Sequence, residues 1–126
     1  YYGDASSSLA QFRATLERLP DIPARIWVTS HHRGVYTDRD AFLRAVSAFA
    51  AKIDERSDRL LELLREAPCT VDELVETRLL YPQDHDAPWV RDVERRTIMQ
   101  HLDELLAAGR VAVDADDECE TRFAVA

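Results

Sequence analysis

The stretch WVRDVERRTIMQHLDELLAAGRVAVDADDECETRFAV, Trp89 to Val125, changes its hydrophobic period partway along. Val90, Val93, Leu102, Leu105 and Leu106 recur at helical spacing, and Gly109 stands where a helix takes its left-handed C′ residue. Beyond Gly109 the residues alternate and turn at Asp114–Glu118, which predicts a small acidic β-hairpin. On the other side, Pro88 suits the first turn of the helix, and PQDHDAP, residues 82–88, reads as a loop.

Moving further toward the N-terminus, TVDELVETRLLY, residues 70–81, opens on a capping box. Thr70 is the N-cap, Glu73 follows three residues on, and Val71, Leu74 and Val75 point inward. Before Pro68 a very long helix is expected, starting from a second capping box at Thr37 and Asp40. Its stripe is Phe42, Val46, Phe49, Ile53, Leu60, Leu61 and Leu64. DERSDR, residues 54–59, interrupts that stripe and puts Ser57 where a large apolar residue is due. Helix, helix, helix, hairpin is the order of a winged helix, an order that other small α+β modules share.

The first third reads differently. SSSLAQFRATLERLP, residues 6–20, has serines able to cap a helix, then Leu9, Phe12, Leu16 and Leu19, and Pro20 to end it. DIPARIWVTS, residues 21–30, is a turn and a short strand, with Ile26 and Val28 on one face and Trp27 on the other. HHRGVYT, residues 31–37, is loop, and Gly34 gives it backbone freedom.

The 126 residues carry a net charge of −8, unevenly spread. Residues 1–51 hold six arginines against five acids, so the rest carries −9. An anionic second half repels phosphate backbones, so no nucleic-acid partner is expected. Cys69 and Cys119 are far apart with no CxxC spacing, which predicts two reduced thiols in a cytoplasmic protein. No apolar run reaches membrane-spanning length, so no membrane partner is expected. The chain begins at Tyr1 rather than Met and reads as a cut through a longer polypeptide.

Together, SSLAQFRATLERLP, ARIWVTSHHRGV, the long helix, TVDELV and ERRTIMQHLDELLAAGRV resemble the C-terminal part of a metallo-β-lactamase-fold hydrolase, of the branch that ends in a winged-helix-like tail. The resemblance covers nearly the whole chain. It implies a mostly helical α+β chain. Residues 1–51 would be the last helix–strand–helix elements of an αββα catalytic domain, and residues 52–126 a winged-helix-like domain. It also implies a parent that hydrolyses an ester or thioester of a small-molecule substrate with two metal ions, expected to be zinc.

In that family the last catalytic strand leads to a P-G-H-G loop whose histidine binds metal. Thr29-Ser30-His31-His32 stands there in this chain. By this alignment His31 is the metal ligand, with His32 the alternative and Asp4, of a Gly-Asp pair, a weaker candidate. The principal motif H-x-H-x-D-H is absent from these residues. A zinc site needs three or four converging ligands, so this fragment alone is expected neither to hold zinc tightly nor to be active.

On residues alone, the histidine pair is equally a polar loop. His101 reads as half-buried and hydrogen-bonded, and His85 as solvated. Cys69, just before an N-cap, would have a slightly lowered pKa. Arg95 and Arg96 lie where a DNA-binding winged helix meets the groove, but the acids around them favour ion pairs along the helix, such as Asp92 with Arg96. No DNA-binding and no catalytic residue is assigned. The tail would shape the substrate entrance or a subunit interface. Without an upstream sheet, Phe12, Ile26 and Val28 should be exposed and drive self-association into a homo-oligomer. A rival reading is a stand-alone dimerisation module with Phe42, Val46, Phe49 and Ile53 as its seam.

Overall fold

The computed structural model describes residues 2, 4, 6–30, 34–114 and 120–126. The first helix, α1 (Leu9–Arg18), starts at Ser8, whose hydroxyl accepts from the Gln11 amide, and passes into a 3₁₀ turn at Leu19–Asp21 that contains Pro20. Next comes β1 (Trp27–Val28), which pairs antiparallel with a second strand, β2 (Val35–Tyr36). The residue pattern predicts loop throughout 31–37, whereas Val35 and Tyr36 form β2. The ladder continues one bond past β1, because the Thr29 amide donates to the Gly34 carbonyl at 2.7 Å. Gly34 turns the chain with φ of 78°, a conformation that favours glycine.

The long helix, α2 (Arg39–Glu66), is continuous over 28 residues, about 42 Å at 1.5 Å per residue. Its cap is Asp38, not Thr37: the Asp38 carboxylate accepts from the Ala41 amide at 2.6 Å. Trp27 stacks on Phe42, with ring centroids 4.9 Å apart, and Tyr36 meets the same ring edge-on. The hairpin is therefore fixed to the start of α2 by aromatic packing.

After α2, a two-residue strand that the residue pattern does not predict, β3 (Cys69–Thr70), leads into α3 (Val71–Glu76). The Thr70–Glu73 capping box is present, with both reciprocal bonds made. The helix stops earlier than its residues suggest, because the Glu94 carboxylate draws off the amides of Leu79, Leu80 and Tyr81. Arg78, at φ of 54°, makes the turn.

Glu94 belongs to α4 (Val90–Ala107), which ends as expected at Gly109. The Gly109 amide donates to Leu106 and the Arg110 amide to Leu105, the paired bonds of a Schellman cap. Then β4 (Val111–Asp114) and β5 (Arg122–Val125) form the expected hairpin, whose turn at residues 115–119 lies outside the described residues. The sheet order is β3-β5-β4, all antiparallel.

Two apolar clusters share α2. Leu60, Leu61 and Leu64 pack with Leu74, Val75, Leu79, Ile98, Leu102, Leu105 and Val111 under the small sheet. Tyr2, Leu9 and Ile53 form the second cluster, with Phe12 and Leu16 against it. Phe42 and Ile53 are thus buried inside one chain and do not offer the dimerisation seam drawn from their spacing. Among the described residues no helix is long and apolar enough to cross a membrane.

Candidate functional site

The hairpin places the chain on either side of the histidine pair. Thr29 and Gly34 close its neck, and Ser30 leads into residues 31–33. His31 and His32 themselves lie outside the described residues. Thr29 and Ser30 border a groove of about 300 Å³ whose walls include Phe12, Leu16, Phe42 and Phe49. The chemistry of this groove is apolar apart from the two hydroxyls and that of Tyr36.

Asp4, the weaker metal candidate, sits in an N-terminal turn rather than in that groove. Its carboxylate accepts from the Ser6 amide at 2.9 Å and the Ser6 hydroxyl at 2.7 Å. Those two bonds hold its pKa below the usual carboxylate value, and the charge of Arg96 on α4 adds to the effect. Among the described residues no three His, Cys, Asp or Glu side chains are grouped to hold a metal ion.

The most developed polar arrangement lies where the N-terminal segment meets α2 and α4. His101 is fully buried, deeper than its position beside the apolar stripe suggests, and both ring nitrogens are engaged. Tyr2 Oη lies 2.9 Å from Nε2, and Ser57 Oγ lies 2.9 Å from Nδ1. Arg56 donates to Tyr2 Oη at 2.7 Å, so the tyrosine hydrogen is free to go to Nε2. Nε2 is then the acceptor and Nδ1 carries the proton, which it donates to Ser57. Ser57 in turn donates to the Ile53 carbonyl at 3.4 Å. In this assignment, which uses every donor once, the chain runs from Arg56 through Tyr2, the neutral His101 ring and Ser57 to the Ile53 carbonyl.

Burial pushes the His101 pKa down to about 4, with the charges of Arg56 and Arg13 acting the same way and Asp54 opposing them. Burial also raises the Tyr2 phenol, against the pull of Arg56. Beside this chain, Arg13 of α1 grips both carboxylate oxygens of Glu104 at 2.9 and 3.0 Å and reaches Asp54 at 2.7 Å. Ser57 therefore interrupts the apolar stripe of α2 because it faces a histidine. The break was visible in the sequence; Tyr2 carried no signal there at all.

Three other expectations change on contact with the structure. Arg95, expected to pair along its own helix, crosses to α3 and pairs with Asp72, and Arg91 one turn earlier pairs with Glu76. The cationic face of α4 is in this way partly neutralised by α3. Burial pushes the Cys69 thiol up, and the neighbouring Glu73 carboxylate adds to this, which outweighs any benefit from the helix start. Cys69 is a free thiol, while Cys119 lies outside the described residues. His85 is exposed as expected, but its ring stacks on Tyr81 with centroids 5.4 Å apart.

No protein-family model matches the chain. No curated protein matches it either. Among solved structures it is similar to a beta-lactamase domain protein from Burkholderia ambifaria, with a TM-score of 0.70 and 19% identity. The match covers 94% of this chain and 33% of that one, so the chain spans about a third of that protein's length. The likeness is one of fold: this mostly helical α+β arrangement with small sheets matches a fragment of a beta-lactamase-like fold.

Proposed function

We propose that the chain is the C-terminal part of a metal-dependent hydrolase of the metallo-β-lactamase superfamily, acting on an ester or thioester of a small molecule. The observation that carries this reading is the fold likeness over 94% of the chain, which is too extensive to be confined to the helical tail. His31, with His32 as the alternative and Asp4 as a weaker candidate, contributes to a site of two zinc ions. Zinc needs three or four ligands, and the described residues supply no such group, so the other ligands come from outside them. No catalytic step is assigned to the residues described.

In this reading the second half is a winged-helix-like tail that shapes the substrate entrance or a subunit interface. Its support is the element order, with α3 and α4 between β3 and β4, and the sheet order β3-β5-β4. A nucleic-acid role fits less well, because Arg91 and Arg95 already face carboxylates of α3.

The test is the reading frame upstream of the Tyr1 codon, followed by assay of the whole gene product. An H-x-H-x-D-H motif upstream, bound zinc by elemental analysis and esterase or thioesterase activity lost in His31→Ala support the reading. A start codon just before Tyr1, or a whole product that binds no divalent metal, overturns it.

A further inference from the structure

We propose that the N-terminal segment is held by an acid-releasable clasp, in which Tyr2 locks onto neutral His101 and protonation of that imidazole frees the segment from α2 and α4. Tyr2 is 2% exposed, and it is the point where this segment enters the core. Its ring packs edge-on to His101 and against Phe12, each with centroids 5.6 Å apart. Its carbonyl accepts from Gln100 Nε2 at 2.5 Å and from the Ser7 hydroxyl. The segment is thus tied to α4 by Gln100 and His101 and to α2 by Arg56, all through one residue.

The direction of the hydrogen bonds makes the clasp depend on a neutral ring. Arg56 can only donate, so the Tyr2 hydroxyl keeps its hydrogen for Nε2, which is an acceptor when the neutral ring carries its proton on Nδ1. A proton arriving from solvent at Nε2 sets two hydrogens against each other. The hydroxyl would have to turn and accept from both cations, which leaves its own hydrogen without the bond it makes now. The other side of the ring offers no relief, since Nδ1 already donates to Ser57.

The charges around the ring point the same way. Arg56 of α2 and Arg13 of α1 oppose a second positive charge there. Asp54 of α2 favours one, but it is already bound by Arg13, as is Glu104 on His101's own helix. From the N-terminal segment the titratable group that meets the ring is Tyr2 itself, which stays a neutral phenol throughout acid conditions. Asp4, whose pKa is held below the usual carboxylate value by Ser6, is bound to Ser6 rather than to the ring. Of the groups that make the clasp itself, Tyr2, Arg56, Ser57 and His101, the imidazole is the one that changes state between neutral pH and pH about 4. Its protonation is relieved most cheaply by moving Tyr2, because that costs one short segment, whereas moving His101 costs the core of α4.

The experiment is amide hydrogen exchange read by NMR on the chain as it stands, with the His101 ring nitrogens followed in the same samples. At pH 7 the ring should be protonated on Nδ1 alone. On acidification, the Ser7 amide, which donates to the Asp4 carbonyl, should lose at least about tenfold of its protection after correction for intrinsic exchange. That loss should track protonation of His101, while amides of α3 and of the β4–β5 hairpin keep theirs. His101→Gln cannot titrate and should keep Ser7 protected in acid. An acid loss of protection that persists in folded His101→Gln overturns the proposal, and so does wild-type protection that is flat while His101 titrates. Should His101→Gln fail to fold, the wild-type midpoints decide: agreement supports the clasp, and a gap of more than about one pH unit overturns it.

Discussion

Glu94 has no exposed surface, yet its carboxylate is the acceptor for three consecutive backbone amides, those of Leu79, Leu80 and Tyr81. A buried carboxylate is tolerable only when its oxygens are fully engaged, and here they also satisfy a turn that has left α3. Glu94→Ala strands those amides and leaves a cavity, so it should cost about 3 kcal/mol or more in denaturant unfolding. Glu94→Gln fills the space and keeps one oxygen acceptor, but it turns an NH2 toward the remaining amide donors, so it should recover only part of that loss. In the sequence Glu94 looks like one more helix-surface acid, since its partners are main-chain groups and leave no residue-type signal. At the same scale, His101 makes stability depend on pH. The unfolded chain takes up this proton near 6.5, the folded chain only near 4. The folded state is therefore favoured fully above pH 6.5 and loses ground as pH falls toward 4. The loss should reach at most about 3 kcal/mol, read as a falling chemical-denaturation midpoint, and should be absent in His101→Gln.

At the scale of elements, helices were legible wherever apolar period and cap agreed, and strands were legible only where they ran long enough to alternate. α2, the Thr70 capping box and the Gly109 stop could all be read from spacing. β2 and β3 are two residues each, too short to show a period, and Thr70 serves both as the end of β3 and as the cap of α3. The cap of α2 sits one residue beyond Thr37, where the Asp38 carboxylate takes the position. The polar break in α2 was legible as a break but not as a reason, because its partner is His101, 44 residues away. That partnership predicts an inversion of helix propensity. Ser57→Ala improves the intrinsic preference of α2 by roughly 0.5 kcal/mol, yet it strands the Nδ1 proton in the core. The variant should lose about 1–2 kcal/mol net by urea unfolding, and a stabilised Ser57→Ala would show that the bond contributes nothing.

Taken as a whole molecule, the two clusters along α2 are unequal. The larger cluster, from Leu60 to Val111, lies under the three-stranded sheet, whereas the two-strand hairpin of the first third leaves apolar residues open. Ile26 is 59% exposed, Val28 79% and Val35 50%, all on the two-strand hairpin beside the histidine loop. Phe12, expected to be exposed with them, is instead packed between Tyr2 and Phe49. The candidate site was legible only as a position, because a metal reading needs three or four converging ligands and the described residues bring no such group together. The open hairpin face is the physical counterpart of that incompleteness: its strands are short, paired with each other on one side only, and apolar outward. In solution the chain should cover this face with a second copy. Sedimentation at rising concentration should show a dimer or larger species, and Val28→Lys with Val35→Lys should return it to a monomer while leaving the far-ultraviolet circular dichroism unchanged. Because Phe42 and Ile53 are buried within each copy, Phe49→Asp should weaken association less than the hairpin substitutions do. A wild-type chain that stays monomeric at the highest concentration, or an association abolished by Phe49→Asp alone, would move the interface away from the hairpin.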